Sequence, residues 1–260
     1  PDILKVANFG SRAVEAFAKL REHQPTGPLM CGEFWCGWFD HWGKDQPHHV
    51  RAADDVAGEL EAMLAAGASV NFYMFHGGTN FGFMAGANFG AGGLEADVTS
   101  YDYDAPLSEW GEPTAKFHAA REVIARHFPL PPLNLPPPIP RRAFGTVRLD
   151  EAAPLLEQAA RLAEPIDAAA PLTQEDLEQE AGFVLYRTVL HGPLERLDLN
   201  IQACHDRAQV FLDGECLGVV DRGKESPAAT FALADGDHVL EILVENVARI
   251  NYGPRLAERK

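Results

Sequence analysis

The chain has 260 residues, 46% hydrophobic and 23% charged, a composition suited to a globular protein with a core that fills one large domain or two ordinary ones. Its formal net charge of −16 argues against nucleic acid or an anionic membrane surface as partner, and no apolar run reaches the roughly eighteen residues of a membrane span. The four cysteines, Cys31, Cys36, Cys204 and Cys216, form no CxxC pair and no Cys/His cluster at zinc-ligand spacing, so no metal and no cofactor are expected.

So few cysteines in a chain of this length point to a reducing, cytoplasmic compartment. The chain starts at Pro1, without an initiator Met or a signal-like segment, and reads as cut. Ile3–Phe9 forms a short expected strand closed by Gly10. Ser11 is placed to cap a helix over 12–23, whose Ala13, Phe17 and Leu20 share one face. Pro25, Gly27 and Pro28 break the chain before a second strand at 29–34. A second helix over 52–66 turns Val56, Leu60, Met63 and Leu64 inward, with Gly67 as its left-handed stop. A third strand spans 70–75 and leads into a long glycine-rich segment, 76–93. A third helix over 114–127 is expected to bury Phe117, Ala120, Ile124 and Phe128. Alternating strands and helices at this spacing predict parallel β/α units, with the site on the loops that follow the strands.

Pro129–Pro140 holds seven prolines in twelve residues, which excludes helix and central strand and marks a semi-rigid linker. Beyond it the period changes to two. Leu197, Leu199, Ile201 and Ala203 alternate, as do Leu240, Ile242 and Val244. Asp213-Gly214 is a hairpin signal between 208–212 and 215–220, and Asp235-Gly236 offers another. Thr173 is placed to cap a short turn over 173–179. The second half therefore reads as an antiparallel β-sandwich or jelly roll.

One stretch concentrates chemistry. Pro28–Gly43 joins an apolar run, the carboxylate of Glu33, the indoles of Trp35, Trp38 and Trp42, and a second acid, Asp40. A lone Glu at the end of a strand is ordinarily a salt-bridge partner. Three tryptophans within eight residues favour another reading, because flat aromatic faces beside a carboxylate suit the apolar patch of a sugar ring.

This segment resembles the nucleophile segment of glycoside hydrolase family 35, the β-galactosidases. Asn71–Asn88 is similar to that family's last barrel strand and its loop, and Thr99–Lys116 to the segment before the last barrel helix. With Asn8-Phe9-Gly10-Ser11, the likeness covers most of 1–128. In the second half, 185–188, 206–214 and 249–253 resemble the family's β-rich domains less specifically.

The resemblance implies an α/β plus all-β chain. Residues 1–128 would be the last three units of a (β/α)8 TIM barrel, 129–143 a linker, and 144–260 a truncated, galactose-binding-like accessory domain. It also implies a retaining glycosidase acting on terminal β-galactosyl residues of an oligosaccharide or glycoconjugate, with carboxyls about 5–5.5 Å apart. By motif position Glu33 is the nucleophile, while Trp35, Trp38 and Tyr103 line the sugar site. Asp40, Asp102 and Asp104 are read as loop-tethering acids, His76 as structural, His48-His49 as solvent-facing, and Cys31 and Cys36 as packing residues. Trp110 departs from the family pattern, where a small residue is expected.

The family's acid/base glutamate lies in an Asn-Glu pair, and none occurs in 1–128. A whole barrel takes about 250 residues, so the chain reads as an internal segment of a longer enzyme, inactive and poorly folded alone. Two alternatives stay open: a non-catalytic sugar-binding fragment or pseudoenzyme, and a related exo-glycosidase such as a β-glucosaminidase. An oligomer is likewise left open.

Overall fold

The computed structural model describes residues 3–43, 47–223 and 228–260, and the chain divides into two units. The first comprises 1–81 and 97–141; the second comprises 82–96 and 142–260.

In the first unit, strands β1 (Ala7–Phe9), β2 (Met30–Trp35) and β3 (Ser69–Tyr73) lie side by side in chain order, all parallel. Helices α1 (Ala13–His23), α2 (Ala53–Ala65) and α3 (Ala115–His127) accompany them. The core is made by Phe9, Phe17, Leu20, Cys31, Phe34, Val56, Leu60 and Met63, with Ala120 and Val123 from α3. The apolar faces expected of the first two helices thus supply this core. Gly67 stops α2 at φ 69°.

Two local expectations change. Ser11 does not cap α1: Arg12 takes the left-handed conformation at φ 60°, and no side-chain cap bond forms there. The Glu59 carboxylate from α2 caps the helix instead, accepting Arg12 N–H and Ala13 N–H at 3.1 Å each. A carboxylate at a helix N-terminus is favoured by the exposed N–H groups and the helix dipole. In α3 the buried stripe is Lys116, Ala120 and Val123. Phe128 lies beyond the helix and is exposed, and Phe117 is only half-buried.

The segment expected to be a glycine-rich loop contains a hairpin, β4 (Gly86–Gly90) and β5 (Gly93–Ala96); 76–81 stay with the first unit and the hairpin belongs to the second. Residues 129–154 carry no regular structure, and a short amphipathic helix, α4 (Leu155–Leu162), follows with no buried residue. A four-stranded antiparallel sheet is built from β6 (Gly182–Leu199), β7 (Arg207–Leu212), β8 (Glu215–Asp221) and β9 (Ala229–Asn246), in the order β6-β9-β7-β8. The last strand, β10 (Arg249–Tyr252), pairs in parallel with β4 to give a three-stranded sheet, β10-β4-β5.

Asp213-Gly214 does join β7 to β8, with φ 49° and 81°. Asp235-Gly236 is no turn: it lies inside β9, where Gly236 (φ 118°) faces Gly192 of β6. Any Cβ on Gly192 would sit 1.7 Å from the Ala234 carbonyl oxygen, so the two glycines serve a kinked ladder. The strand expected through Ala203 ends at Leu199. Thr173 and Asp176 exchange bonds in the turn before β6, Asp176 N–H donating to Thr173 Oγ1 at 3.2 Å and Thr173 Oγ1 to the Asp176 carboxylate at 2.9 Å.

Candidate active site

Cys31 and Phe34 of β2 are fully buried, whereas Glu33 and Trp35 are half-buried. Residues two apart on a strand share a face, and here that geometry lets the Trp35 indole N–H donate to Glu33 Oε2 at 3.0 Å. Asn8 of β1 stands in register with Glu33, and Asn71 of β3 donates to the Gly32 carbonyl at 3.0 Å. The carboxylate therefore sits near the C-terminal end of the central strand, flanked on both sides by asparagine-bearing strands.

Around it lies a continuous aromatic wall. Trp35 meets Trp38 edge to face at 5.7 Å, and Trp38 stacks on Phe39 and leans on Tyr103 at 6.2 Å. Tyr103 also meets Tyr73 and Tyr101, at 5.6 and 5.7 Å. These predicted residues come together. Trp42 does not join them and is largely exposed.

Tyr103 is 2% exposed, and its hydroxyl finds no hydrogen-bond partner among the described residues. A buried hydroxyl without a partner is costly. Burial, then the nearby Cys36, Tyr73 and Glu33, push its phenol well above the ordinary range, so it stays a neutral donor. Burial and the Tyr73 hydroxyl do the same to Tyr101.

Two glycines let the loops approach one another. A Cβ on Gly37 would lie 1.8 Å from the Tyr103 carbonyl oxygen, and one on Gly77 would lie 1.7 Å from that of Tyr101. Arg51 donates to the Trp35 carbonyl at 2.7 Å, and its own N–H donates to Asp104 Oδ2 at 2.6 Å. Lys116 Nζ bonds the Cys36 carbonyl at 2.8 Å, the Asp104 carbonyl at 2.6 Å and the Asp104 carboxylate.

Asp40 and Glu109 fasten loops. Asp40 accepts from His48 Nδ1 at 2.5 Å and from the His49 N–H at 2.9 Å. Burial pushes the Asp40 carboxyl up, but the histidine bonds outweigh it and hold it below the usual carboxylate range; the same contact raises His48. Both imidazoles are partly exposed, yet both are bonded to Asp40. Burial raises Asp102, with Asp104, Glu109 and Asp40 adding to it against His48. His76 bonds the Glu109 carbonyl at 3.0 Å, and the Glu109 carboxylate receives Thr79 and Ser100. Trp110 lies outward, its indole N–H on Glu112 at 2.8 Å and the Arg141 guanidinium 5.0 Å above its ring. Burial raises the Cys31 and Cys36 thiols to about 11, so they pack and do not attack.

Arg51 carried no sequence signal, and Lys116 was marked only as the last residue of the Thr99–Lys116 stretch. No cluster of three metal-binding side chains occurs among the described residues. A separate cavity of about 380 Å³ lies in the second unit, beside Phe89, His205, Arg222 and Arg255. Its two guanidiniums are already engaged by Asp206 and Glu258, and none of the predicted site residues lines it.

Comparison with known proteins finds two family matches. Residues 1–127 match "Glycosyl hydrolases family 35", and 171–260 match "Beta-galactosidase, first all-beta domain". The chain belongs to glycosyl hydrolase family 35. It is 42% identical to "Beta-galactosidase" of Xanthomonas manihotis over 262 residues, covering 99% of this chain and 43% of that protein. It is 42% identical to "Beta-galactosidase-1-like protein" of Mus musculus over 250 residues, 94% of this chain and 38% of that one. It is 41% identical to "Beta-galactosidase" of Homo sapiens over 259 residues, 96% and 37% respectively. This family 35 chain thus spans less than half the length of these relatives.

Proposed function

We propose that the full-length protein carrying this chain is a retaining exo-β-galactosidase and that Glu33 is its nucleophile. One observation carries the reading: the Glu33 carboxylate is held by the Trp35 indole N–H inside an aromatic wall that also contains the buried hydroxyl of Tyr103, which has no hydrogen-bond partner among the described residues. A carboxylate so placed needs orientation more than activation. Trp35 supplies the orientation through its N–H, and Trp35 and Trp38 offer faces for the apolar side of a galactose ring. The Tyr103 hydroxyl has one donor left for the sugar or for Glu33.

In the chemistry this supports, a Glu33 oxygen attacks the anomeric carbon while the bond to the leaving oxygen breaks and that oxygen takes a proton. The galactosyl ester on Glu33 is then cleaved by water, which gives up its proton to the same acid/base group. That group is assigned to a residue outside this chain, because 1–128 contain no Asn-Glu pair. In the same reading, 1–128 apart from the 82–96 hairpin supply the last three units of a (β/α)8 barrel, 129–143 link them onward, and 144–260 form an accessory β-sandwich together with that hairpin.

In the full-length protein, Glu33→Gln is expected to remove turnover of an aryl β-galactoside, and a 2-fluoro-galactoside is expected to label the Glu33 peptide. Label on any other peptide overturns the assignment. Faster hydrolysis of the aryl β-glucosaminide than of the galactoside would change the sugar while keeping the mechanism. The isolated 260 residues are expected to show no turnover.

A further inference from the structure

We infer that Lys116 is a positioning residue of this site, fixing the Tyr103 hydroxyl relative to Glu33 through Asp104. The inference rests on the reading of Glu33 and Tyr103 given above, and deepens it.

Lys116 is only 4% exposed, in the first turn of α3 on the face it shares with Ala120 and Val123. A buried ammonium is unfavourable unless each of its three N–H groups is taken up. Here all three have acceptors, and the acceptors belong to two different loops: the Cys36 carbonyl just beyond β2, and the carbonyl and carboxylate of Asp104. Lys116 therefore joins the end of the strand that carries Glu33 to the residue following Tyr103.

The joined segment needs holding. Tyr103 and Asp104 are consecutive non-glycine residues in the left-handed region, at φ 62° and 49°. Such a pair costs free energy and persists where the surroundings enforce it. The Tyr103 hydroxyl contributes no hydrogen bond among the described residues, and Gly37 only makes room for its carbonyl. What fastens the turn is Asp104, which accepts from the Arg51 N–H on one side and from Lys116 Nζ on the other. Arg51 in turn holds the Trp35 carbonyl, so both cations brace the same two segments. Lys116 touches neither the Glu33 carboxylate nor the Tyr103 hydroxyl, and acts on them through the backbone.

The test uses the full-length protein with Lys116→Met, Tyr103→Phe and the double variant, assayed on an aryl β-galactoside. Rates are counted per active site titrated with a 2-fluoro-galactoside, which removes any loss of folded protein. Lys116→Met is expected to lower kcat/KM by on the order of 10²-fold, the scale of a misplaced group. In the Tyr103→Phe background the same change is expected to cost less than about twofold, since the two act as one unit. An equal loss in both backgrounds, or no loss per titrated site, overturns the inference. If Lys116→Met does not fold, Asp104→Asn replaces it under the same criteria.

A second readout needs no catalysis. In protein labelled with 3-fluorotyrosine, the Tyr103 fluorine resonance, identified by its loss in Tyr103→Phe, is expected to move in Lys116→Met. An unmoved resonance overturns the positioning role even if the galactosidase reading fails, and a moved one without galactoside turnover overturns only that reading.

Discussion

At the scale of single residues, two kinds of buried group give opposite predictions. Cys31 and Cys36 have thiols raised to about 11 by burial, so at pH 8 only about one in a thousand is a thiolate. Iodoacetamide on the native protein is expected to modify exposed Cys216 and to leave Cys31 and Cys36 untouched, as read by peptide mass spectrometry. Asp97 is 5% exposed and raised by burial to about 7, with His41 opposing the shift. A carboxyl raised in the folded state binds its proton more tightly there than when unfolded. Its stabilising effect is thus complete below pH 4 and is lost as pH rises towards 7, roughly 3–5 kcal/mol across the window if uncompensated. Asp97→Asn is expected to flatten that part of the stability profile in denaturant titrations between pH 4 and 8; an unchanged slope would refute it. Glu33, Trp35 and Trp38 were legible in the sequence because they lie within one short stretch. Asp104 was legible as a loop-tethering acid, but its donors Arg51 and Lys116 were not, because their meaning comes from bonds that span distant loops.

At the scale of elements, local signals succeeded where one strong preference acted alone. Asp213-Gly214 closes β7 and β8 as a two-residue turn with both φ values positive, the geometry that favours Asp-Gly. Asp213 also accepts the Val239 N–H at 2.8 Å and His238 Nδ1 at 2.7 Å, which fixes the turn against β9. Gly214→Val is expected to destabilise the chain by about 1–2 kcal/mol, since a β-branched residue resists that conformation, and urea unfolding would register it. The same dipeptide signal failed at Asp235-Gly236, where Gly192 on the opposite strand absorbs the kink and the ladder continues through it. In α3 the apolar period pointed to Phe117, Ala120, Ile124 and Phe128; Ala120 is buried, but the buried face is turned towards Lys116 and Val123. A cation with three acceptors goes inward where a pattern of apolar residues alone would exclude it. Ser11 failed as a cap for a related reason: the acceptor arrived from α2, far along the chain.

At the scale of the whole molecule, the proline-rich stretch and the change of period separated an α/β part from a β-rich part, and both are present. Residues 129–154 have no regular structure and are largely exposed. Trypsin under native conditions is therefore expected to cut first among Arg141, Arg142 and Arg148, a pattern that sizing of early fragments would test. First cuts inside β6 or β9 would contradict it. No helix among the described residues is long and apolar enough to cross a membrane. The hairpin of β4 and β5 was hidden in the sequence because its partner, β10, is the last strand of the chain. That pairing makes the order of synthesis matter. The hairpin leaves the ribosome ahead of β6 to β9, and the strand that completes its sheet follows all of them. The β-rich half is therefore no removable cassette: a single cut at the linker strands two of its strands on the wrong side, and any engineered boundary has to carry the hairpin along.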